Sequence, residues 1–266
     1  MMQLPKVTFR KMTFEENMNT MAMFIKNELD DSNQRNTNFF RNRYSEIANL
    51  DFNGLDKNQI SDILKSKLMP KWLKNMENAD HKARIFQADW DLINDEVITE
   101  LSKSLNITWP INTMDIQARI GILYASPRYI GPRIFDTTIN YNEIELRKVT
   151  IHEICHFLYF EKWKELFNDY DESHYNHPHL AWYLSEAIID PLLNNETFTK
   201  YTNGPIKSYD VFYETMINDQ NIIDLLIKNV QNKPIEIAIK DSYDLFLANE
   251  EIITNNYNNP KFNKRK

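Results

Sequence analysis

Residues 145–167 read ELRKVTIHEICHFLYFEKWKELF, and the middle of this stretch places two histidines, His152 and His156, four residues apart. On an α-helix, positions four apart differ by about 40° in azimuth and by one turn in height, so both rings can direct a nitrogen at one metal ion. The stretch also carries the apolar surface of a buried helix, at Leu146, Val149, Ile151, Ile154, Cys155 and Leu158. We therefore expect a helix that presents two metal ligands on its remaining face.

Glu153 directly follows the first of these histidines. It lies about 100° around the predicted helix from His152, so its carboxylate can reach a water held by the metal without ligating the metal. Zinc lowers the pKa of such a water to about 7, and a neighbouring carboxylate can then accept the proton. Chance would produce only about 0.01 matches to this pattern in a chain of this composition. The pattern predicts zinc-dependent hydrolysis with Glu153 as general base.

The pattern His152-Glu153-x-x-His156 resembles the active-site helix of the zincin metallopeptidases. In the metzincin branch a Gly and a third His follow at fixed spacing, but Tyr159 and Lys162 occupy those positions here, which excludes that branch. The chain is more similar to the gluzincins, which take a Glu from a second helix as the third zinc ligand. The resemblance implies an α+β fold whose zincin-like core combines a small sheet, the active-site helix and the second ligand helix. It also implies a Zn²⁺ cofactor and a peptide or protein substrate.

Segment 178–193, PHLAWYLSEAIIDPLL, is the candidate for that second helix, because it is strongly apolar but carries Glu186 and Asp190 four residues apart. The resemblance implies that Glu186 ligates zinc and that Asp190 orients a ligand histidine. Buried carboxylates need a cation or donor partner, whereas two solvated acids would need neither. Pro191 should bend or end the helix next to Asp190. The same spacing bears a weaker resemblance to the phage-repressor-cleaving peptidases of the ImmA type.

A polar loop between the two helices holds three further histidines, His174, His177 and His179. With Pro178 at the first helical position, His179 would face the same side as Glu186, and Tyr183 would lie about 60° away. Zincins commonly use a His or a Tyr to stabilise the oxyanion, so the resemblance leaves that role open between His179 and Tyr183. A loop histidine in place of Glu186 as third ligand is the main alternative site.

The rest of the chain suggests a helical N-terminal region, 1–105, followed by the zincin-like catalytic region, 106–258, and a polar basic tail, 259–266. Apolar residues recur at helical spacing in three N-terminal stretches, Phe14 to Leu29, Ile60 to Leu73 and Phe86 to Leu105. Strands are predicted at Ile107 to Pro110, Ala118 to Tyr124, Ile134 to Tyr141 and Ile235 to Ile239. In zincins a sheet edge aligns the substrate, and Ala118 to Tyr124 and Ile134 to Tyr141 are both candidates for that edge.

Composition narrows the classes of function. With 31 Lys and Arg against 38 Asp and Glu the net charge is −7, which argues against nucleic-acid binding by bulk electrostatics. Four glycines, none closely spaced, cannot form a glycine-rich phosphate loop. The single Cys155 allows no internal disulfide, and we interpret it as an inert thiol in the core. Without a signal-peptide core or an apolar span, we expect a cytoplasmic protein that does not bind membranes.

A second hypothesis is a non-catalytic zincin-like protein, a binding or regulatory module whose zinc is structural or absent. Catalytic zinc keeps one coordination position open for water, so a closed site would favour this alternative. The aromatic residues Phe160, Trp163 and Trp182 are expected to belong to the core around the two helices under either hypothesis.

Overall fold

The computed structural model describes residues 4–30, 35–110 and 115–259. Its main sheet has four strands in the order β1-β2-β4-β3. The strands are β1 (Val7–Lys11), β2 (Ile116–Gly121), β3 (Arg128–Tyr129) and β4 (Ile134–Thr138). β1, β2 and β4 run parallel, and the two-residue β3 pairs antiparallel with β4 at one edge. In β2, Ile116, Ala118 and Ile120 alternate with less buried residues, as expected for a strand with one face on the core.

The strand predictions were right for β2 and β4 and wrong elsewhere in the chain. β2 and β4 overlap with the two apolar segments that were the candidates for the substrate-aligning edge: β2 lies between β1 and β4, and β4 pairs with β3 at Ile134 and Phe135. Ile107 to Pro110 forms no strand. β1 was not predicted, because its alternation of buried Val7 and Phe9 with less buried Thr8 and Arg10 covers only five residues, which is a weak periodic signal.

Helices make up most of the remaining chain. They are α1 (Phe14–Asp30), α2 (Arg35–Arg43), α3 (Lys57–Met76), α4 (Ala79–Asp91), α5 (Asn94–Ser104), α6 (Glu143–Phe167), α7 (Leu180–Ala187), α8 (Ile189–Leu193), α9 (Glu196–Thr202), α10 (Asp210–Glu214), α11 (Ile222–Asn232), α12 (Ile235–Ala248) and α13 (Glu250–Asn258). A short hairpin, β5 (Met216–Ile217) and β6 (Gln220–Asn221), follows α10. The chain is thus α+β, as predicted.

The predicted strand at Ile235 to Ile239 is instead the first part of α12, so that prediction was wrong. Ile235, Ala238 and Ile239 are buried, and Ile237 is exposed. The buried residues recur at helical spacing, and Pro234 at the N-cap directly precedes the first turn. A run of five residues with alternating β-branched side chains fits both the strand period of two and the helical period of about 3.6. Packing against α11 favours the helix.

Both ends of α6 are fixed by local hydrogen bonds. The side chain of Asn142 accepts from the Glu145 amide, and the Glu145 carboxylate accepts from the Asn142 amide, which forms a capping box. At the other end Asn168 adopts the left-handed conformation that commonly ends helices. The residues from Thr150 to Trp163 between these caps are almost all buried. The histidine pair therefore lies in the middle of a long helix that the core surrounds.

The buried apolar residues form two hydrophobic clusters. The larger surrounds α6 and includes residues of β1, α4, α5, α7 and α12. The smaller joins α1, α2 and α3 and takes in Ile122 and Leu123, which directly follow β2. The region before residue 106 therefore contributes to both clusters. Among the described helices, none has the length and apolar character to cross a lipid bilayer.

Candidate metal centre

Three side chains from two helices converge at the centre of the larger cluster. His152 and His156 on α6 bring their Nε2 atoms within 3.0 Å of each other. Glu186 on α7 lies opposite, with Oε2 at 3.3 Å from the His152 Nε2 and Oε1 at 3.5 Å from the His156 Nε2. Within the described parts of the chain, these three residues are the one group whose His, Cys, Asp or Glu ligand atoms are spaced to hold a metal ion.

These separations match those of zinc ligands. Zn–N and Zn–O bonds of about 2.0–2.1 Å at tetrahedral angles place neighbouring ligand atoms about 3.3–3.4 Å apart. The three separations, 3.0, 3.3 and 3.5 Å, bracket that value. The donor set, two imidazoles and one carboxylate, is also one that zinc accepts and that leaves a fourth position open. The residues therefore fit a zinc ion.

Burial leaves polar atoms of this cluster without partners. The side chains of His156 and Glu186 are 0% and 1% exposed. Glu186 Oε2 and His156 Nδ1 have no hydrogen-bond partner, and neither has Glu153 Oε2 on the adjacent turn. A buried polar atom without a partner is costly, and a cation held between the two helices would satisfy Glu186 Oε2.

Electrostatics favour the protonation state that a metal requires at His156 and Glu186, whereas at His152 burial is outweighed by the hydrogen bond with Glu186, and the pKa of the imidazole is raised. Burial lowers the pKa of His156 to about 3, so its imidazole is neutral and keeps a lone pair. Burial opposes ionisation of Glu186, but His156 and Arg128 outweigh it and hold the pKa of its carboxyl well below the usual range. Metal ligands must be deprotonated to bind.

Arg128, on the edge strand β3, was not predicted as part of the site. Its Nη1 donates to Glu186 Oε1 at 2.7 Å, and its side chain is only 9% exposed. It thereby occupies one carboxylate oxygen and leaves Oε2 facing His152. A two-residue strand produces no periodic signal, so the sequence offered only an arginine in the right part of the chain.

Glu153 forms part of the wall of a cavity of about 480 Å³ beside the cluster. Its carboxyl is 5% exposed, and burial raises its pKa to about 7. The other lining residues are Phe39, Arg43, Tyr124, Ser126, Tyr141 and Tyr209. A carboxyl that is buried beside the ligands and yet borders a cavity has the location that a general base needs.

Comparison with protein-family models, curated proteins and solved structures gives no match. The chemistry of the chain must therefore be argued from the geometry of this site.

The loop histidines lie outside the cluster. His174 Nδ1 is 3.2 Å from the Asp169 carboxylate, and the His174 and His179 rings pack with centroids 4.8 Å apart. α7 begins at Leu180 rather than at Pro178, so His179 is the N-cap residue and is exposed. The prediction that His179 faces the same side as Glu186 assumed a helix starting at Pro178. Because the helix starts later, that prediction was wrong.

Asp190 does not orient a zinc-ligand histidine, contrary to expectation. Its Oδ2 accepts a hydrogen bond from the Tyr213 hydroxyl, while the Nδ1 of His156 has no partner. The helical path breaks between Ala187, where α7 ends, and Ile189, where α8 begins. Glu186 and Asp190, four residues apart, would face the same side only on one continuous helix, and this segment is divided into two.

Tyr183 is fully buried on α7, and its hydroxyl has no hydrogen-bond partner. Its ring packs against His177 and Tyr257, with centroids 5.6 and 4.9 Å away. Neither Tyr183 nor His179 lines the cavity that Glu153 borders. The tyrosines that do line it, Tyr124, Tyr141 and Tyr209, were not predicted.

The remaining predictions concerned the core. Cys155 is a free, fully buried thiol, and burial raises its pKa far above the usual range, as expected for an inert side chain. Phe160, Trp163 and Trp182 belong to the larger hydrophobic cluster. Phe160 also stacks on the His156 ring at 6.3 Å, which restricts the orientation of that imidazole.

Proposed function

We propose that the protein is a zinc-dependent hydrolase of the gluzincin type that cleaves peptide bonds, with His152, His156 and Glu186 as zinc ligands and Glu153 as general base. The convergence of two ε nitrogens and a carboxylate oxygen at zinc-ligand separations carries this proposal. The burial of Glu153 on the adjacent turn supports it further, because a purely structural zinc needs no acid there.

When bound, zinc would polarise a substrate carbonyl and lower the pKa of water to about 7. Glu153 would accept a proton from the attacking water and return it to the leaving amine. Its pKa of about 7 applies without a cation, and a nearby positive charge lowers the pKa of a carboxyl, so Glu153 would be ionised at neutral pH. Tyr141 and Tyr209 line the same cavity as Glu153, which makes them the candidates for stabilising the oxyanion.

One observation favours a second candidate, a non-catalytic zincin-like binding protein. The guanidinium of Arg128 already balances the charge of Glu186 from 2.7 Å, so the buried carboxylate has a cation without any metal. In this alternative the ion pair would be structural. Zinc content and hydrolysis together separate the two candidates, because the hydrolase needs about one zinc per chain and cleaves peptides, whereas the alternative cleaves none with or without zinc.

The test substitutes the general base and leaves the ligands intact. Glu153→Gln should keep about one zinc per chain after dialysis against a mild chelator, and should lose hydrolysis of a peptide library by about 100- to 10,000-fold. Glu172→Gln, an equivalent change in the exposed loop, should retain both zinc and activity. Normal hydrolysis by Glu153→Gln would refute the mechanism. A wild-type protein that takes up no zinc would refute the function.

A further inference from the structure

The cavity beside Glu153 has walls from both halves of the molecule. Phe39 and Arg43 come from α2 in the N-terminal helical layer, and Tyr124 follows β2. Glu153 comes from α6. At about 480 Å³ the cavity has room for one or two amino-acid side chains. Whatever group of a substrate enters it lies next to the proposed base.

Arg43 is held in this wall by stacking. Its guanidinium carbon is 4.4 Å from the centroid of the Phe39 ring and 4.3 Å from that of Tyr124. Both rings line the cavity themselves. Aromatic rings at this distance attract a guanidinium and restrict its orientation, so the charged group is positioned before any ligand arrives.

The same guanidinium has no carboxylate partner among the side chains that the structure describes. In contrast, Arg128 pairs with Glu186 and Arg147 pairs with Asp89. Among the described residues that line the cavity, Arg43 is the one that is basic. The two ring contacts hold the guanidinium in the cavity wall, and its planar fork of N–H groups matches the geometry of a carboxylate.

We propose that this cavity binds a carboxylate of the substrate at Arg43, so that the enzyme prefers peptides with an acidic group next to the cleaved bond. The inference rests on the proposed function and specifies its substrate class. The carboxylate has two possible sources, a Glu or Asp side chain within the peptide or the free C-terminus of a short peptide. Ser126, which also lines the cavity, would provide a further hydroxyl donor.

Three pools of randomised hexapeptides test the preference and its source. One pool fixes a central Glu and has an amidated C-terminus, the second a central Gln and a free C-terminus, and the third a central Gln and an amide. We expect wild-type kcat/KM to be about tenfold to a hundredfold higher on one or both of the carboxylate pools than on the third, the range expected for a charge-assisted hydrogen bond.

The variants assign that preference to Arg43. Arg43→Gln should reduce the ratio to about one, Arg43→Lys should retain part of it, and Arg43→Glu should favour a pool with a central Lys. Lys67→Gln removes one exposed positive charge elsewhere and should keep the wild-type ratio. Circular dichroism would check folding, which exposed Arg43 should not disturb. Equal rates on all pools, or a ratio that survives Arg43→Gln, would overturn the inference.

A binding measurement separates failure of this inference from failure of the proposed function. Fluorescence anisotropy would follow the labelled pools on zinc-loaded Glu153→Gln protein, with and without Arg43→Gln. Arg43-dependent binding of the carboxylate pools to this variant, together with no hydrolysis of any pool by zinc-loaded wild-type protein, would refute the hydrolase and support the carboxylate site. Hydrolysis without any preference would refute the carboxylate site alone.

Discussion

Two groups of histidines and carboxylates lie within about thirty residues of one another in this chain, and they differ in almost every physical respect. The His152–His156–Glu186 cluster is enclosed by two helices, and buried atoms in it lack partners. The loop group around His174 is partly exposed, and its side chains bond to one another, for example His174 to Asp169.

The comparison shows which features distinguish a candidate metal site from a polar loop that contains the same residue types. In the loop, Asp169 already accepts hydrogen bonds from Trp163 and the Asp171 amide. The carboxylate of Asp169 therefore needs no further ligand. In the buried cluster, Glu186 Oε2 and His156 Nδ1 have no such bonds. Residue type alone only suggests a metal site. Buried ligand atoms that lack hydrogen-bond partners and lie at metal-ligand separations support one.

The largest expected effect is on the free energy of unfolding, from a substitution that removes the positive charge next to Glu186. Arg128→Met should lower the free energy of unfolding of metal-free protein by about 3 kcal/mol, because it leaves Glu186 buried without its ion-pair partner. Added zinc should reduce this loss, since it supplies another cation. Urea denaturation with EDTA or with zinc would measure both. Lys233→Met, which removes an exposed ion pair with Asp241, should cost less than about 1 kcal/mol, and an equal loss would contradict the comparison.

A second prediction compares one histidine from each group. His156→Ala should weaken zinc binding by more than about 100-fold, because removal of a ligand should cost more than removal of an outer-shell partner. His174→Ala should leave zinc affinity unchanged. Competition with a chromogenic chelator would measure both affinities. If His174→Ala released zinc and His156→Ala did not, the loop would be the metal site.

The smallest effect concerns the pH dependence of the loop group. Burial raises the pKa of Asp169, but the bonds from Trp163 and Asp171 outweigh it and lower that pKa below its usual value. The ionised carboxylate therefore stabilises the folded state above about pH 4, and this contribution is lost as the pH falls through the lowered pKa.

Asp169→Asn should accordingly reduce stability by about 1 kcal/mol at pH 7, and the difference from wild type should shrink towards pH 2. Urea denaturation across that range would measure it. A difference that stayed constant with pH would mean that the charge of Asp169 contributes nothing.

The sequence predicted the parts of this site that lie on a single helix, where the helical repeat fixes the relative positions of the residues. His152, Glu153 and His156 share a helix, and the regular spacing of apolar residues around them is enough to predict their relative positions. Glu186 needed more, because nothing in the spacing brings two helices together. Its assignment came from the resemblance to gluzincins, and the structure places it against the two histidines.

The predictions failed where the backbone departs from regular geometry. His179 and Asp190 were placed by extrapolating one helix, but α7 begins two residues later than expected and ends before Asp190. Arg128 reaches the site from a strand too short to have a period. The cavity wall contains Phe39 and Arg43, more than a hundred residues before Glu153, so only tertiary packing brings them to it.

The division of the core into two clusters has a consequence for how the protein could diversify. The proposed zinc ligands and Glu153 are anchored in the larger cluster, whereas Phe39 packs against the smaller one, next to Arg43 on the same helix. Exchanges in α2 would thus alter the outer wall of the cavity while the metal-binding helices keep their packing. A lineage of such proteins could vary its selectivity through the N-terminal layer and keep its reaction chemistry constant.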